Sequence, residues 1–384
     1  MSSLQERFAA HFGHPGSVIA RAPGRLEILG NHTDYNEGWV LSCAVHQAAE
    51  VVLSPVSGDV CRLKDFRDGS EKTFDPANPG VAQKKDWSNY VKGVIVELAK
   101  RGGKVGAFDA AVLSSVPLSA GMSSSAALET AFGLAMGNAF GLDFSRADWA
   151  RIGQGVENNY LGLSTGLLDQ FSSLFGQENA FILSDFRTVE VIRTVQLPEG
   201  YEIVVVNSMV KHNLVDSEYN VRRQDCESAA AKLSEIYPDV RTLRDVTMEQ
   251  LTAVQDRLEM REFRRAAHIV GECERVQRAV AALDAKDVES FGKLWFESHE
   301  SSRVNFENSI PEMDYLVELA HSIPGCAGAR LSGGGFGGIT IHLVKSEAAE
   351  AYGKRIAAAY QQKYGIVPEV IYCRIGGGAS VRAL

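Results

Sequence analysis

PLSAGMSSSAAL, residues 117–128, runs a proline and a glycine into three serines and then into an alanine-led apolar series. Pro117 ends a preceding strand, Gly121 lets the backbone turn tightly, and Ser123, Ser124 and Ser125 bring hydroxyls to the first turn of a helix. Ala126, Ala127, Leu128, Ala131, Leu134 and Ala135 then hold one apolar face at helical spacing. The first N–H groups of a helix have no intrahelical partner and attract anions, and hydroxyls beside them reach a phosphate oxygen or a magnesium ion. The stretch predicts a phosphate-binding turn that opens a helix. A serine-capped helix is the plainer alternative, and a short Gly/Ser motif alone does not separate the two.

Three further stretches bear on that choice. Residues 21–45 read RAPGRLEILGNHTDYNEGWVLSCAV and bring Arg25, Asn31, His32, Thr33, Asp34, Tyr35 and Asn36 close together. With Gly24, Gly30 and Gly38 taken as turns, the segment predicts a loop between two strands that presents many hydrogen-bonding groups to one place. Such groups suit a polyhydroxylated ligand, because each sugar hydroxyl both donates and accepts. A solvated hairpin with an Asx turn at Asn36-Glu37-Gly38 is the alternative. Residues 156–176, VENNYLGLSTGLLDQFSSLFG, contain Glu157 and, three positions after Gly166, Asp169. Asp169 follows two leucines and is expected half-buried, where a carboxylate serves as base or metal ligand; it would equally cap the helix that follows. Finally GARLSGGGFGGITIHLV, ending at Val344, sets Gly333, Gly334, Gly335, Gly337 and Gly338 before a strand. Backbone there can press against a ligand without Cβ clash. The spacing is neither the Walker pattern nor the dinucleotide fingerprint, which disfavours P-loop and Rossmann enzymes.

The composition bounds what such a chain does. At 384 residues with 45% hydrophobic and 23% charged residues, it is long enough for about two globular domains. A formal net charge of -9 argues against general nucleic-acid binding, and Arg261, Arg264 and Arg265 among Glu259 and Glu262 read as a solvated helix face. The six cysteines are scattered without Cys-x-x-Cys spacing, which points to a reducing cytoplasm. Glu6 and Arg7 interrupt the N-terminal region where a signal peptide needs an apolar run, and no window reaches the length of a membrane span. Dispersed histidines exclude a His-Glu-x-x-His metal site.

Strand-like runs at 17–20, 40–44, 49–55, 108–114 and 180–183, with helical patterns at 88–101, 123–140 and 146–161, predict a mixed first half. The buried-strand candidate YEIVVVN at 201–207, a charged helical region to about 320 and the late runs ITIHLV and VIYCRI predict a second α+β unit. The Pro/Gly break near 185–205 divides the chain into residues 1–195 and 196–384.

Taken together the stretches resemble the signatures of the GHMP small-molecule kinases, whose phosphate loop reads Pro-x-x-x-Gly-x-Ser-Ser-Ser-Ala, and among them those of the galactokinases. GRLEILGNHTDYNEGWVL is similar to the sugar-binding signature of that family, TGLLDQ to its catalytic-aspartate segment, and KHNLVDSEYNVRRQDCE at 211–227 to its Ser-Glu-Tyr-x-x-Arg-Arg segment. The likeness continues through HIVGECERV, SHESSRVNFENSIPEMDYL and GARLSGGGFGG, and so covers essentially the whole chain in order.

The resemblance implies a two-domain α+β GHMP kinase fold, with an N-terminal domain like ribosomal protein S5 domain 2, a C-terminal ferredoxin-like domain and a site in the cleft between them. It implies Asp169 as base at the anomeric hydroxyl of a sugar, with Arg25 stabilising developing negative charge. Asn31, His32, Asp34, Gly166 and Tyr219 would hold the sugar. Ser119, Ala120, Gly121, Met122, Ser123, Ser124 and Ser125 would wrap the phosphates of ATP. Ser125, or Ser124 with the register one off, would hold Mg²⁺ together with Glu157. DWSNYVKGV at 86–94 resembles the family's adenine segment, which brings in Trp87.

The chain departs from the family at Asn31, where glutamate is usual and contacts the far, C6 end of the sugar. Milder departures are Thr165-Gly166-Leu167-Leu168-Asp169-Gln170 for the usual Cys-Gly-Ile-Met-Asp-Gln, and Ser42 for a common proline. The implied activity is ATP-dependent phosphorylation of galactose to α-galactose 1-phosphate by a cytoplasmic monomer without nucleic-acid or membrane partners. Two alternatives stand beside it. One is a kinase for a sugar altered at C6, such as a deoxy sugar, a pentose or a uronate; the other is a non-catalytic sugar sensor on the same fold.

Overall fold

The computed structural model describes residues 2–118, 121–211 and 215–384. Ser119 and Ala120 of the phosphate-binding stretch, and residues 212–214 of the 211–227 segment, lie outside the described residues. The strands are β1 (Val18–Leu29), β2 (Trp39–Pro55), β3 (Cys61–Asp65), β4 (Glu71–Phe74), β5 (Phe108–Ser114), β6 (Ala180–Asp185), β7 (Glu190–Gln196), β8 (Tyr201–Lys211), β9 (Cys326–Ser332), β10 (Gly337–Lys345), β11 (Glu369–Cys373) and β12 (Ser380–Ala383). The helices are α1 (Leu4–Phe12), α2 (Ser88–Lys100), α3 (Ser124–Phe140), α4 (Arg146–Gly155), α5 (Leu168–Phe175), α6 (Val215–Ile236), α7 (Met248–Ala253), α8 (Met260–Asp284), α9 (Val288–Ser301), α10 (Pro311–Ser322) and α11 (Ala349–Tyr364).

Two sheets carry the molecule. The first runs β12-β1-β2-β5-β3-β4. Strand β2 is long enough to serve two neighbours: Ala49–Pro55 pairs with β5, while Trp39–Ser42 pairs with β6, which in turn pairs with β7. Helices α3 and α5 cover β1 and β2. Alanine and glycine dominate the buried face of α3, so the helix lies close on the sheet. The second sheet runs β11-β8-β10-β9, all antiparallel. Its chain path is β8, a helical region, β9, β10, α11 and β11, the split βαββαβ order of ferredoxin-like units. The fold is thus α+β, as expected. Helix α8 ties the helical region together by burying Ala266, Ile269, Val270 and Cys273 at helical spacing. The chain's last strand does not stay with the second sheet. β12 returns to pair with β1, Ala383 opposite Val18.

Two sequence expectations are corrected here. The loop between the strands at 17–20 and 40–44 is shorter than expected, because β1 continues through Pro23 and Gly24 to Leu29 and the loop spans only 30–38. Gly24 is not a turn. A Cβ there would sit 2.6 Å from the Met122 carbonyl oxygen, so glycine lets the sheet and the phosphate-binding turn meet. Gly24→Ala is expected to cost about 1–3 kcal/mol through overpacking, read as a lowered midpoint in thermal unfolding; an unchanged midpoint would contradict that account. The second correction concerns Arg265, which is buried rather than solvated. It donates to the Asn305 carbonyl (2.5 Å) and pairs with Glu307 (2.6 Å), while Arg261 reaches Asp225 (3.0 Å). Arg261 and Arg264 are exposed, as the charge alternation predicts, and of the three arginines only Arg265 turns inward.

Candidate active site

Strand β1 delivers Arg25 to the point where the starts of α3 and α5 converge. Its backbone N–H donates to the Met122 carbonyl (3.1 Å), and its guanidinium donates to the Gly121 carbonyl (2.6 Å) and to Asp169 Oδ1 through Nε (2.8 Å). A second guanidinium nitrogen lies 2.6 Å from the same carboxylate oxygen. Asp169, the second residue of α5, also accepts from the Ser123 hydroxyl. Neither Ser123 nor Asp169 caps a helix by its side chain. Both plainer alternatives, the serine cap and the aspartate cap, are therefore replaced by one hydrogen-bonded unit of Arg25, Asp169 and Ser123. The Asp169 side chain is 28% exposed, open to whatever enters.

Two cavities meet at this unit. One, of about 210 Å³, is lined by Glu27, Asn31, His32, Asp34, Thr165, Gly166, Tyr219 and Asn220. The other, of about 250 Å³, is lined by Gly121, Met122, Ser123, Ser124 and Ser125. Arg25, Asp169, Gly333 and Gly334 border both. The first has hydrogen-bonding walls suited to a sugar; the second has a helix N-terminus and hydroxyls suited to phosphate.

In the first cavity Asp34 accepts from the Leu168 N–H (3.2 Å) and lies against Gly166, where any Cβ would collide with its carboxylate. Burial raises the pKa of the Asp34 carboxyl, opposed by the Leu168 N–H, with the Asp169 charge adding to the rise. His32 stacks on Phe306 (4.4 Å between centroids) and faces Tyr219 (5.0 Å). Burial lowers its pKa to about 3, so the ring is neutral. Its Nε2 lies 3.2 Å from both the Gly334 carbonyl and the Asn308 side-chain amide, and its Nδ1 lies 3.0 Å from the Tyr35 hydroxyl. Beside the second cavity, Glu157 accepts from Ser125 Oγ (3.1 Å) and Thr165 Oγ1 (2.6 Å). Burial, then the Asp169 charge, pushes its carboxyl up.

The Galactokinase galactose-binding signature matches residues 6–55, the GHMP kinases N terminal domain residues 89–177, and the GHMP kinases C terminal domain residues 279–362. A galactokinase of Glaesserella parasuis serovar 5 (strain SH0165) is 40% identical over 382 residues, 98% of each chain. The chain belongs to the galactokinase family. A Roseiflexus sp. (strain RS-1) galactokinase is 37% identical, covering 98% of this chain and 95% of that one. The crystal structure of Lactococcus lactis galactokinase complexed with galactose superposes with a TM-score of 0.93 at 31% identity, over 98% of both chains. Methanococcus jannaschii mevalonate kinase shares the fold alone, with a TM-score of 0.67 at 16% identity.

Asn31, where the galactokinase family usually has glutamate, is fully buried in a network that joins the two halves of the molecule. Its amide donates to Glu27 Oε1 and to the Gly333 carbonyl, each at 2.9 Å, and its Oδ1 accepts from Asn308 (3.2 Å). Glu27 also pairs with Arg330 (2.9 Å). The backbone N–H groups of Gly30 and Asn31 donate to Glu272 (2.9 and 2.8 Å), which Arg275 holds at 2.6 Å. Two buried carboxylates thus face two arginines, and the loop is fastened to α8 and β9. Burial raises the Glu27 carboxyl against the pull of Arg330, whereas Arg275 and Arg330 outweigh burial to hold Glu272 well below the usual range.

Sequence reasoning missed Glu27, Ser164, Thr165 and Asn220 as lining residues and Asn308 as the clamp on the glycine loop. Glu27 was visible, since residues two apart on a strand share a face and Arg25 was already singled out. Glu129, four residues beyond Ser125, was also missed; it is buried against Gln170 (3.0 Å), and burial with the Glu157 charge pushes its carboxyl well up. Trp87 caps α2 and donates its indole N–H to Ser70 (2.9 Å).

Proposed function

We propose that the chain transfers the γ-phosphoryl group of ATP to the anomeric hydroxyl of galactose, giving α-galactose 1-phosphate. The observation that carries this reading is the position of Asp169 on the wall common to a sugar-lined cavity and a phosphate-suited one, fixed by Arg25 and Ser123. In this reading Asp169 accepts the proton of the anomeric hydroxyl, and Arg25 balances charge as the oxygen attacks. Asn31, His32, Asp34, Gly166 and Tyr219 form the sugar walls. The turn from Ser119 to Ser125, with Ala120, Gly121, Met122, Ser123 and Ser124 between, holds the phosphates, and Trp87 belongs to the adenine side. Transfer through a loose transition state gains most from such positioning and charge neutralisation.

The residues fit a magnesium ion. Ser125 and Glu157 offer the oxygen donors that a hard cation prefers, and among the described residues Glu157 is a buried carboxylate without an ion-pair partner. Those two residues, with phosphate oxygens, would hold the ion, which when bound neutralises phosphate charge. A sugar sensor would need none of this set; the intact unit of Arg25, Asp169 and Ser123 favours the enzyme. The reading extends to a cytoplasmic monomer of residues 1–195 and 196–384 without nucleic-acid partners. All six thiols are unpaired, and no helix among the described residues is long and apolar enough to cross a membrane.

A coupled ADP-release assay is expected to show galactose-dependent turnover with MgATP, a far smaller rate with glucose, and loss of turnover on chelation that returns with added Mg²⁺. Galactose binding without ADP release would instead support the sensor.

A further inference from the structure

We propose that Glu27 is the sugar-selecting carboxylate of this chain. From strand β1 it accepts hydroxyl hydrogens on the side of the ring remote from the anomeric carbon, and it rejects sugars that carry an acid there. The inference rests on the galactose-kinase reading and names the group that sets its selectivity.

Placement comes first. The β1–β2 register is unbroken from Arg25 through Leu26 to Glu27, opposite Ala44, Cys43 and Ser42. Arg25 and Glu27 therefore share a face, about 7 Å apart along the strand. Arg25 borders both cavities; Glu27 borders only the sugar cavity. With the anomeric carbon at Asp169, Glu27 lies on the wall away from the phosphate, where a galactose ring carries its 4- and 6-hydroxyls.

The hydrogen-bond inventory supplies the selectivity. Asn31 has two amide hydrogens, and both are used, on Glu27 Oε1 and on the Gly333 carbonyl. Its Oδ1 already receives one hydrogen from Asn308 and keeps one lone pair. Asn31 therefore has no donor for a ligand. Arg330, the cation that holds Glu27, is itself fully buried, spends a second nitrogen on the Ile28 carbonyl (2.8 Å) and does not line the cavity. Arg25, which does, is committed to Asp169 and Gly121. Glu27, Asn31 and the Gly333 carbonyl thus offer a ligand only acceptors at this wall. A hydroxyl satisfies them by donating, a missing hydroxyl leaves them without that hydrogen, and a uronate carboxylate meets the like charge of Glu27. Asn31 thus does not remove the carboxylate from this end of the site; Glu27 supplies it from the neighbouring strand, with Asn31 as its support.

The test compares kcat/KM for D-galactose, 6-deoxy-D-galactose and D-galacturonate in the unaltered chain, in E27Q and in E27Q/N31D. The unaltered chain is expected to prefer galactose over galacturonate by more than about a hundredfold, with the deoxy sugar between them. E27Q should shrink the galactose-to-galacturonate ratio by about tenfold or more without moving the KM for ATP. The double variant, which moves the carboxylate from position 27 to position 31 beside it, should restore much of the ratio. Galacturonate turnover within about tenfold of galactose in the unaltered chain would overturn the inference, as would an E27Q ratio within about twofold of the parent's. If E27Q does not fold because Arg330 is left unpaired, the parent's own ratio and the double variant still decide. No turnover on any of the three sugars would sink the kinase reading and this inference together, whereas galactose turnover with an unmoved ratio sinks the inference alone.

Discussion

Asp169→Asn is expected to lower kcat for galactose phosphorylation by about 10²–10⁴ while galactose binding and the cooperative unfolding transition persist. Asparagine keeps the shape of the side chain. Its Oδ1 can still accept from Arg25, and its amide can donate to Ser123 Oγ, so the unit that now links the three residues retains its hydrogen bonds. What disappears is the group that can take a proton. A loose transition state asks less of a base than of positioning, which is why the expected loss is a range rather than total inactivity. The measurement pairs steady-state ADP release with calorimetric titration of galactose. Turnover within about tenfold of the parent, at unchanged galactose affinity, would remove Asp169 from the role of base.

Arg25→Lys is expected to cost about 10²–10³ in kcat even though the charge is conserved. The guanidinium fork now reaches two places at once, the Asp169 carboxylate and the Gly121 carbonyl. An ammonium is a point charge on a flexible stem and cannot span both. The Gly121 carbonyl lies in the phosphate-binding turn, so the KM for ATP should rise together with the fall in kcat, whereas the KM for galactose should move less. A variant whose ATP and galactose KM values are both unchanged would show that the fork does not set the turn.

Much of the fold was legible in the sequence because it follows from local periodicity. The apolar series after Ser125 does form a helix, Ser124–Phe140, and the buried run at 201–207 does form the start of β8. Legibility ended where contacts are long-range. Nothing local in Ser380–Ala383 shows that these residues return to β1, since four residues carry too little pattern to reveal a partner several hundred positions away. The same limit explains the error at 21–29. Pro23 and Gly24 are strong turn signals in isolation, yet the strand runs through them because Gly24 fits beneath Met122. Reading that stretch as a loop hid the period-two relation of Arg25 and Glu27, and with it the carboxylate of the sugar cavity. Asn308 was hidden for a different reason. Its importance comes from the glycine loop, where a Cβ at Gly335 would collide with the Asn308 backbone carbonyl and Phe336 N–H donates to that carbonyl (2.6 Å). Neither contact leaves a mark in composition or spacing.

The central claim is that phosphate is placed on the anomeric oxygen, and the most direct measurement of it is the ³¹P spectrum of the product formed from galactose and MgATP. A new phosphorus resonance coupled to the anomeric proton of an α-galactoside is the predicted result. A resonance coupled to the C6 protons, or inorganic phosphate as the only new signal beside ADP, would contradict the placement of Asp169 at the anomeric hydroxyl.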